Sequence, residues 1–276
     1  MGWFEERGGL AGTVAVVTGG AGGLGEAVVS DLDANGVHVA VVDIDAEAVE
    51  TLRGRLSDAI VHHGDARDPD TLTRLFDAAD ERWGRLDTLV NVVGGTFRAA
   101  FTETTPKGWN AVLRTNLLHV LHACSLAVPR MRAGGRGGSI VNLTTIEAHR
   151  AAPGYAVYSA AKAAVEQFAR TLAVEVAPDG IRVNNVAPDY SPTPRLLKIS
   201  GDGTSGEDGV GVTIPMGRAG TPSDVSNCVV FLASALSSYI TGTTVHPDGG
   251  TFASSGWFNW PGSGWSTRPP KDFTVR

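Results

Sequence analysis

Tyr158 and Lys162 stand four residues apart in a segment of helical spacing, 155–178, and so share one face of it. A phenol beside an ammonium can move protons. A free tyrosine titrates near 10, too high for a base at neutral pH, and a neighbouring cation favours its phenolate and lowers that value. Such a pair suits the interconversion of a ketone and an alcohol, where hydride travels to or from carbon and a proton to or from oxygen. Tyr155 does not qualify, because Ser159 stands four residues after it. The hydride needs a carrier, and the chain offers a place for one. The run Val14–Val17 leads straight into Thr18-Gly19-Gly20-Ala21-Gly22-Gly23-Leu24-Gly25, and a helical pattern follows at once. A glycine-rich turn between a first strand and a helix lets the backbone approach a pyrophosphate, and the helix N-terminus offers free N–H groups. The second apolar run ends in Asp43, 18 residues after Gly25, with Val42, Ile44 and Asp45 as neighbours. A carboxylate there accepts hydrogen bonds from ribose hydroxyls and repels a 2′-phosphate, which points to NAD rather than NADP. Asp65, followed by Ala66 at the end of the third run, is placed to contact the adenine amino group or to cap its own turn.

These residues need a sheet beneath them. Seven short apolar runs rich in β-branched residues span 13–18, 37–43, 60–63, 88–93, 139–143, 181–186 and 243–246. They are continuously apolar, as strands buried on both faces should be. Between them lie segments of helical length at 24–35, 46–56, 69–83, 106–131, 155–178 and 222–233, three of them opening on Pro69, Pro106 and Pro222. Strand and helix in repeated alternation predict one doubly wound α/β domain over residues 1–250, with a seven-stranded, mostly parallel sheet and helices on both faces. Two stretches fall outside the alternation. Residues 189–213 form a Gly/Pro/Ser-rich insertion, and 251–276 form a tail carrying Trp257, Trp260 and Trp265. Loops this long are usually functional or disordered.

Composition narrows the function classes. The chain has 276 residues, enough for a sizeable core, and a net charge of −6 with no Lys/Arg run, which disfavours nucleic acid as a partner. No apolar stretch in the sequence approaches the ~20 residues of a membrane span, and the first ten residues lack the apolar core of a signal peptide. Two cysteines, Cys124 and Cys228, are too few for a disulfide framework or a zinc cluster, and the histidines show no metal-ligand spacing. A reduced cytoplasmic setting, a small-molecule substrate and no bound metal are the resulting expectations.

From about Leu10 to Thr251 the chain resembles the short-chain dehydrogenase/reductases. The resemblance rests on Thr18, Gly19, Gly23 and Gly25 in the T-G-x-x-x-G-x-G pattern, on Asn91-Val92-Val93-Gly94, and on Asn116 within Arg114-Thr115-Asn116-Leu117. It continues through Tyr158 and Lys162 as Y-x-x-x-K, Ile181-Arg182-Val183-Asn184, Pro188, and Asp248-Gly249-Gly250. The resemblance implies an NAD-binding set of Thr18, Gly19, Gly22, Gly23, Leu24, Gly25, Asp43, Ile44, Asp65, Ala66, Asn91, Val92, Gly94, Tyr158, Lys162, Pro188 and Thr193. It implies that Lys162 also bonds the nicotinamide ribose, that Asn116 holds a water linking Lys162 to solvent, and that Thr193 contacts the carboxamide or a diphosphate oxygen. The family usually has Ser thirteen residues before the tyrosine. Thr145 stands here, keeping the hydroxyl that holds a substrate oxygen against Tyr158 and adding a methyl that stiffens χ1 and narrows the pocket. Asp189 replaces the glycine common after Pro188, and either selects a substrate hydroxyl or amine or caps the next turn.

Ligands in such folds sit beyond the carboxyl ends of the strands, so Thr96, Thr145, His149 and Tyr190 are expected along the substrate, with residues 195–213 as a mobile lid. The expected substrate is a cyclic apolar secondary alcohol such as a steroid or terpenoid. The alternatives are a 3-oxoacyl reductase (or 3-hydroxyacyl dehydrogenase), a cis-dihydrodiol dehydrogenase, or a catalytically impaired nucleotide-binding scaffold. Trp and Phe are costly to expose, so the tail is expected to pack on its own or a neighbouring subunit. The resemblance implies a homotetramer.

Overall fold

The seven apolar runs form seven strands of one sheet: β1 (Val14–Thr18), β2 (His38–Asp43), β3 (Ile60–His63), β4 (Thr88–Asn91), β5 (Gly138–Leu143), β6 (Ile181–Val186) and β7 (Thr244–Val245). Their order is β3-β2-β1-β4-β5-β6-β7, and every pairing is parallel. The computed structural model describes residues 2–193 and 207–270, so most of the expected lid lies outside the described residues. The chain reverses direction of winding between β1 and β4, which opens a crevice above the carboxyl ends of those strands, where open α/β sheets bind ligands.

Each strand serves two cores, because successive side chains point to opposite faces. Val16, Ala40 and Val42 pack with Leu72, Phe76, Val120 and Val165, from α4 (Pro69–Trp83), α6 (His119–Gly134) and α7 (Ala156–Val176). Val17, Val39 and Val41 pack on the other face with Val28, Val49 and Val229, from α2 (Gly23–Ala34), α3 (Ala46–Arg55) and α9 (Pro222–Ala233).

The helix expected over 106–131 is interrupted. It runs as α5 (Pro106–Leu113), one π turn (Arg114–Leu118) and α6. Taken together, Pro106–Gly134 is long and apolar enough by length and composition to cross a bilayer, which the sequence pattern had not suggested. Here it is one layer of the fold, with Val120, Ala123, Ala127 and Met131 buried against the sheet.

A short helix the pattern did not foresee, α1 (Trp3–Gly8), precedes β1. The tail is described through residue 270. After α10 (Thr251–Ser254) it forms an antiparallel hairpin, β8 (Phe258–Trp260) with β9 (Gly264–Ser266), lying against α8 (Glu207–Thr213). Its described residues contact their own chain, and Trp257 and Trp265 stay about half exposed.

Candidate active site

The glycine-rich turn is shaped by close contacts. A Cβ on Gly25 would lie 1.9 Å from the Gly19 carbonyl oxygen, so only glycine lets α2 start this near the end of β1. Gly22 caps α2 without any side-chain bond, leaving the first N–H groups open to an anion. Thr193, arriving from the far side of the sheet, sits over this turn with its methyl 3.3 Å from where a Gly23 Cβ would be. Asp43 accepts from Ala21 N at 3.0 Å and Asp45 N at 3.1 Å, tying the end of β2 to the turn, and Ile44 beside it is exposed. An open helix start, a cradle without Cβ atoms and a carboxylate at the ribose position fit a dinucleotide.

Several residues expected to touch that dinucleotide also brace the protein itself. Thr18 is fully buried, and its hydroxyl accepts from Val92 N at 3.3 Å, bracing β4. Asp65 is gripped by Arg67 through Nε at 2.8 and 2.9 Å and Nη2 at 2.7 Å, which holds its carboxyl below the usual range. Asp65 also accepts from Arg67 N at 2.9 Å, which fits the turn role, and its side chain stays partly exposed. Asn91 is buried and donates to Asn142 Oδ1 at 2.9 Å. Asn142 donates to Asn185 Oδ1 at 3.1 Å, and Asn185 to Thr244 Oγ1 at 3.2 Å. These four residues are in register on β4 to β7, so the amides form a polar row one step beneath the crevice. The sequence carried the signal, an asparagine in each of three apolar strands, but only the register aligns them.

On the opposite side of the crevice, Asn116, Lys162 and Gly94 converge. A Cβ on Gly94 would meet Lys162 Nζ at 3.3 Å and Asn116 Oδ1 at 3.4 Å. The π turn explains how Asn116 gets there. A widened turn leaves a carbonyl to spare; the Asn116 amide donates to Val112 O at 2.9 Å and Gly95 O at 2.7 Å and accepts from Gly95 N at 3.2 Å. Lys162 is buried and donates to Leu143 O at 2.8 Å. Burial pushes its ammonium down to about 8.

Thr145 caps a 3-10 turn (Ile146–Ala148), and its side chain is hydrogen-bonded to the Tyr158 phenol. That phenol departs from expectation. Burial pushes it up to about 12; the Thr145 bond lowers it, while Glu147 and Tyr155 raise it further. In the protein alone, desolvation outweighs any help from Lys162, so Tyr158 holds its proton at neutral pH and is set as an acid.

The side expected to face substrate is partly aromatic. Thr96, Phe97, Phe101, Trp109, Tyr155 and Tyr158 line a small cleft open to solvent. Phe101 and Trp109 stack at 5.5 Å, and Trp109 Nε1 donates to Thr104 Oγ1 at 2.6 Å. Beside it, Arg150 Nη2 lies 2.7 Å from Glu147 Oε1 and 3.2 Å from Asp189 Oδ1. Asp189 is also bonded to Thr251, and burial raises its carboxyl. It is thus an anchor rather than a free carboxylate. Tyr190 is half-buried nearby, its carbonyl accepting from Gly220 N. His149, expected along the substrate, packs its ring inward against His246, Phe252 and Glu166. Among the described residues no group of His, Cys, Asp and Glu could hold a metal ion.

Comparison with known proteins decides what this arrangement belongs to. The family described as enoyl-(acyl carrier protein) reductase matches residues 19–251, from the glycine-rich turn through the Tyr158 helix to the start of the tail. The chain belongs to the short-chain dehydrogenase/reductase family. It is 34% identical over 245 residues to the 2,5-dichloro-2,5-cyclohexadiene-1,4-diol dehydrogenase LinX of Sphingobium indicum, covering 87% of this chain and 96% of that one. It is 33% identical over 248 residues to the 3-oxoacyl-[acyl-carrier-protein] reductase FabG of Thermotoga maritima, covering 87% and 98%. The NADP-dependent (R)-specific alcohol dehydrogenase of Lentilactobacillus kefiri matches at 33% over 247 residues, covering 87% and 97%. The crystal structure of gox2181 superposes with a TM-score of 0.82 at 31% identity, covering 91% of this chain and 99% of that one. As a short-chain dehydrogenase/reductase, the chain is an oxidoreductase of CH–OH groups that uses a nicotinamide cofactor.

Proposed function

We propose that this protein interconverts a cyclic, apolar secondary alcohol and its ketone with NAD(H), Tyr158 carrying the proton. The observation that bears the reading is the Tyr158 phenol, bonded to Thr145 and one helical turn from Lys162, at the mouth of an aromatic cavity. A bound nicotinamide supplies hydride transfer at carbon. The chain's own groups do the rest. Thr145 holds the substrate oxygen, Tyr158 gives it a proton in reduction or takes one in oxidation, and Asn116 beside Lys162 marks the route to solvent. Asp43, with exposed Ile44 beside it, supports NAD over NADP.

The similarity to a cyclohexadiene-diol dehydrogenase and the stacked Phe101 and Trp109 favour a flat ring, such as a dihydrodiol, within this class. A 3-oxoacyl thioester on a polyanionic carrier fits less well, because Arg150, the cation following the Thr145 turn, is outnumbered by its partners Glu147 and Asp189. A cytoplasmic homotetramer assembled on α6 and α7 belongs to the same reading, and light scattering tests the assembly. The test of function is a screen at 340 nm with NAD+ and NADP+ against cyclohexanol, borneol, a 3-hydroxysteroid, a cis-dihydrodiol and 3-hydroxybutyryl-CoA. Turnover of ring alcohols with NAD+ supports the reading; preference for NADP+ and the acyl-CoA overturns it.

A further inference from the structure

Glu166 has no part in the chemistry above, yet it is a buried carboxylate on the helix of Tyr158 and Lys162, about one turn past the lysine, with 2% of its surface exposed. The spacing 158, 162, 166 puts all three on one face of α7. A carboxylate removed from water needs a partner or the fold pays heavily. Arg170 Nη2 is 3.6 Å from Oε2, and His149 Nε2 is 2.9 Å from Oε1, in contact without the alignment of a good hydrogen bond. His149 directly follows the 3-10 turn that Thr145 caps. The contact therefore joins the turn carrying one half of the Thr145–Tyr158 bond to the helix carrying the other half.

The surroundings of this contact are closed by the end of the sheet and the tail. The His246 ring, just past β7, lies 4.6 Å from the His149 ring, and Phe252 of α10 stacks on His246 at 4.9 Å and lies 5.1 Å from His149. Burial and the neighbouring His149 lower His246, while Asp248 and Glu166 act the other way. Segments leaving β5 and β7, the catalytic helix and the tail thus meet at one buried point.

We propose that His149 and Glu166 are positioning residues, which hold the Thr145 turn against α7 so that the Thr145 hydroxyl stays on the Tyr158 phenol. The first turn of the tail, through Phe252, keeps water away from the pair. The role acts through Thr145 and touches neither substrate nor dinucleotide. It rests on the reading of Tyr158 as the proton carrier, which a Tyr158→Phe variant tests by itself.

The deciding experiment is a double-mutant cycle in the full-length protein, using the alcohol of the screen that the wild type oxidises fastest. Glu166→Ala is expected to lower kcat about tenfold, with KM for NAD+ within twofold and the rising limb of the kcat–pH profile moved to higher pH, because the phenol loses its bond. Glu166→Gln, which keeps the side-chain contact with His149, is expected to restore kcat to within threefold of wild type. In a Thr145→Ala background, Glu166→Ala is expected to cost less than twofold, since the group it positions is gone. Where Glu166→Ala does not fold, the cycle is run with His149→Asn. A tenfold loss that persists in the Thr145→Ala background, or single variants with the wild-type kcat and pH profile, overturns the assignment. A Tyr158→Phe protein with undiminished turnover fails the functional reading instead.

Discussion

Removing the Thr145 hydroxyl perturbs the chemistry at its narrowest point. Thr145 is buried, with 8% of its surface exposed, and its bond is the one influence that offsets the burial of Tyr158. A hydrogen bond in such a place is worth about 1–3 kcal/mol, so Thr145→Ala raises the phenol by roughly one to two pK units. The same substitution removes a donor from the substrate oxygen, a loss of ~10²–10³ in rate where such donors have been deleted from other enzymes. Steady-state oxidation of the best ring alcohol, followed at 340 nm from pH 6 to 10, is expected to show kcat down by about 10²-fold with a rising limb displaced to higher pH. The sign follows from the direction of proton flow: oxidation needs the phenolate, and a higher pKa delays its formation. Thr145→Ser keeps the hydroxyl and drops the methyl, so its kcat is expected within about threefold of wild type, with bulkier alcohols better accepted. An Ala variant with wild-type kcat and an unmoved limb would refute the reasoning.

Three further outcomes follow from the geometry. Asp43→Ala is expected to raise kcat/KM for NADP+ relative to NAD+ by about 10–100-fold, since a carboxylate facing a phosphate across ~5 Å costs a few kcal/mol at a protein surface; parallel assays with both cofactors check it. Gly25→Ala drives a Cβ into the Gly19 carbonyl, so NADH affinity, read by fluorescence titration, is expected to fall more than about tenfold with the far-UV circular dichroism unchanged. Lys162, lowered to about 8 from an ordinary 10.5, is disfavoured as an ammonium in the fold. That cost is present in full below pH 8 and fades between 8 and 10.5 as the folded lysine loses its proton before the unfolded one does. Lys162→Met is therefore expected to be inactive yet more stable than wild type at pH 7, by about 1–3 kcal/mol in urea unfolding, with the advantage shrinking by pH 10.5.

Local pattern carried most of the architecture. The β-branched runs and the proline-started helices between them reproduce strands such as Ile60–His63 and Ile181–Val186 and helices such as Pro69–Trp83 residue for residue. Propensity alone does not place the π turn at Arg114–Leu118, because no residue type encodes a widened turn and its cause is the tertiary placement of Asn116. The site was legible where chemistry depends on spacing, as with Tyr158 and Lys162 or the turn through Gly25. Partners distant in sequence were not. Asn91, Asn142 and Asn185 become a ladder only through strand register. His149 is drawn inward by Glu166 and His246, 17 and 97 residues away. The raised phenol of Tyr158 is likewise a consequence of burial, which the spacing of two side chains does not reveal.

The central claim is that Tyr158 moves the proton beside a bound dinucleotide, and Tyr158→Phe tests it most directly. Loss of the hydroxyl leaves the ring and the glycine-rich turn in place. NADH affinity is therefore expected within threefold of wild type while alcohol oxidation falls at least ~10³-fold, the range of general acid–base and oxyanion contributions combined. Turnover within tenfold of wild type, with NADH still bound, would contradict the account.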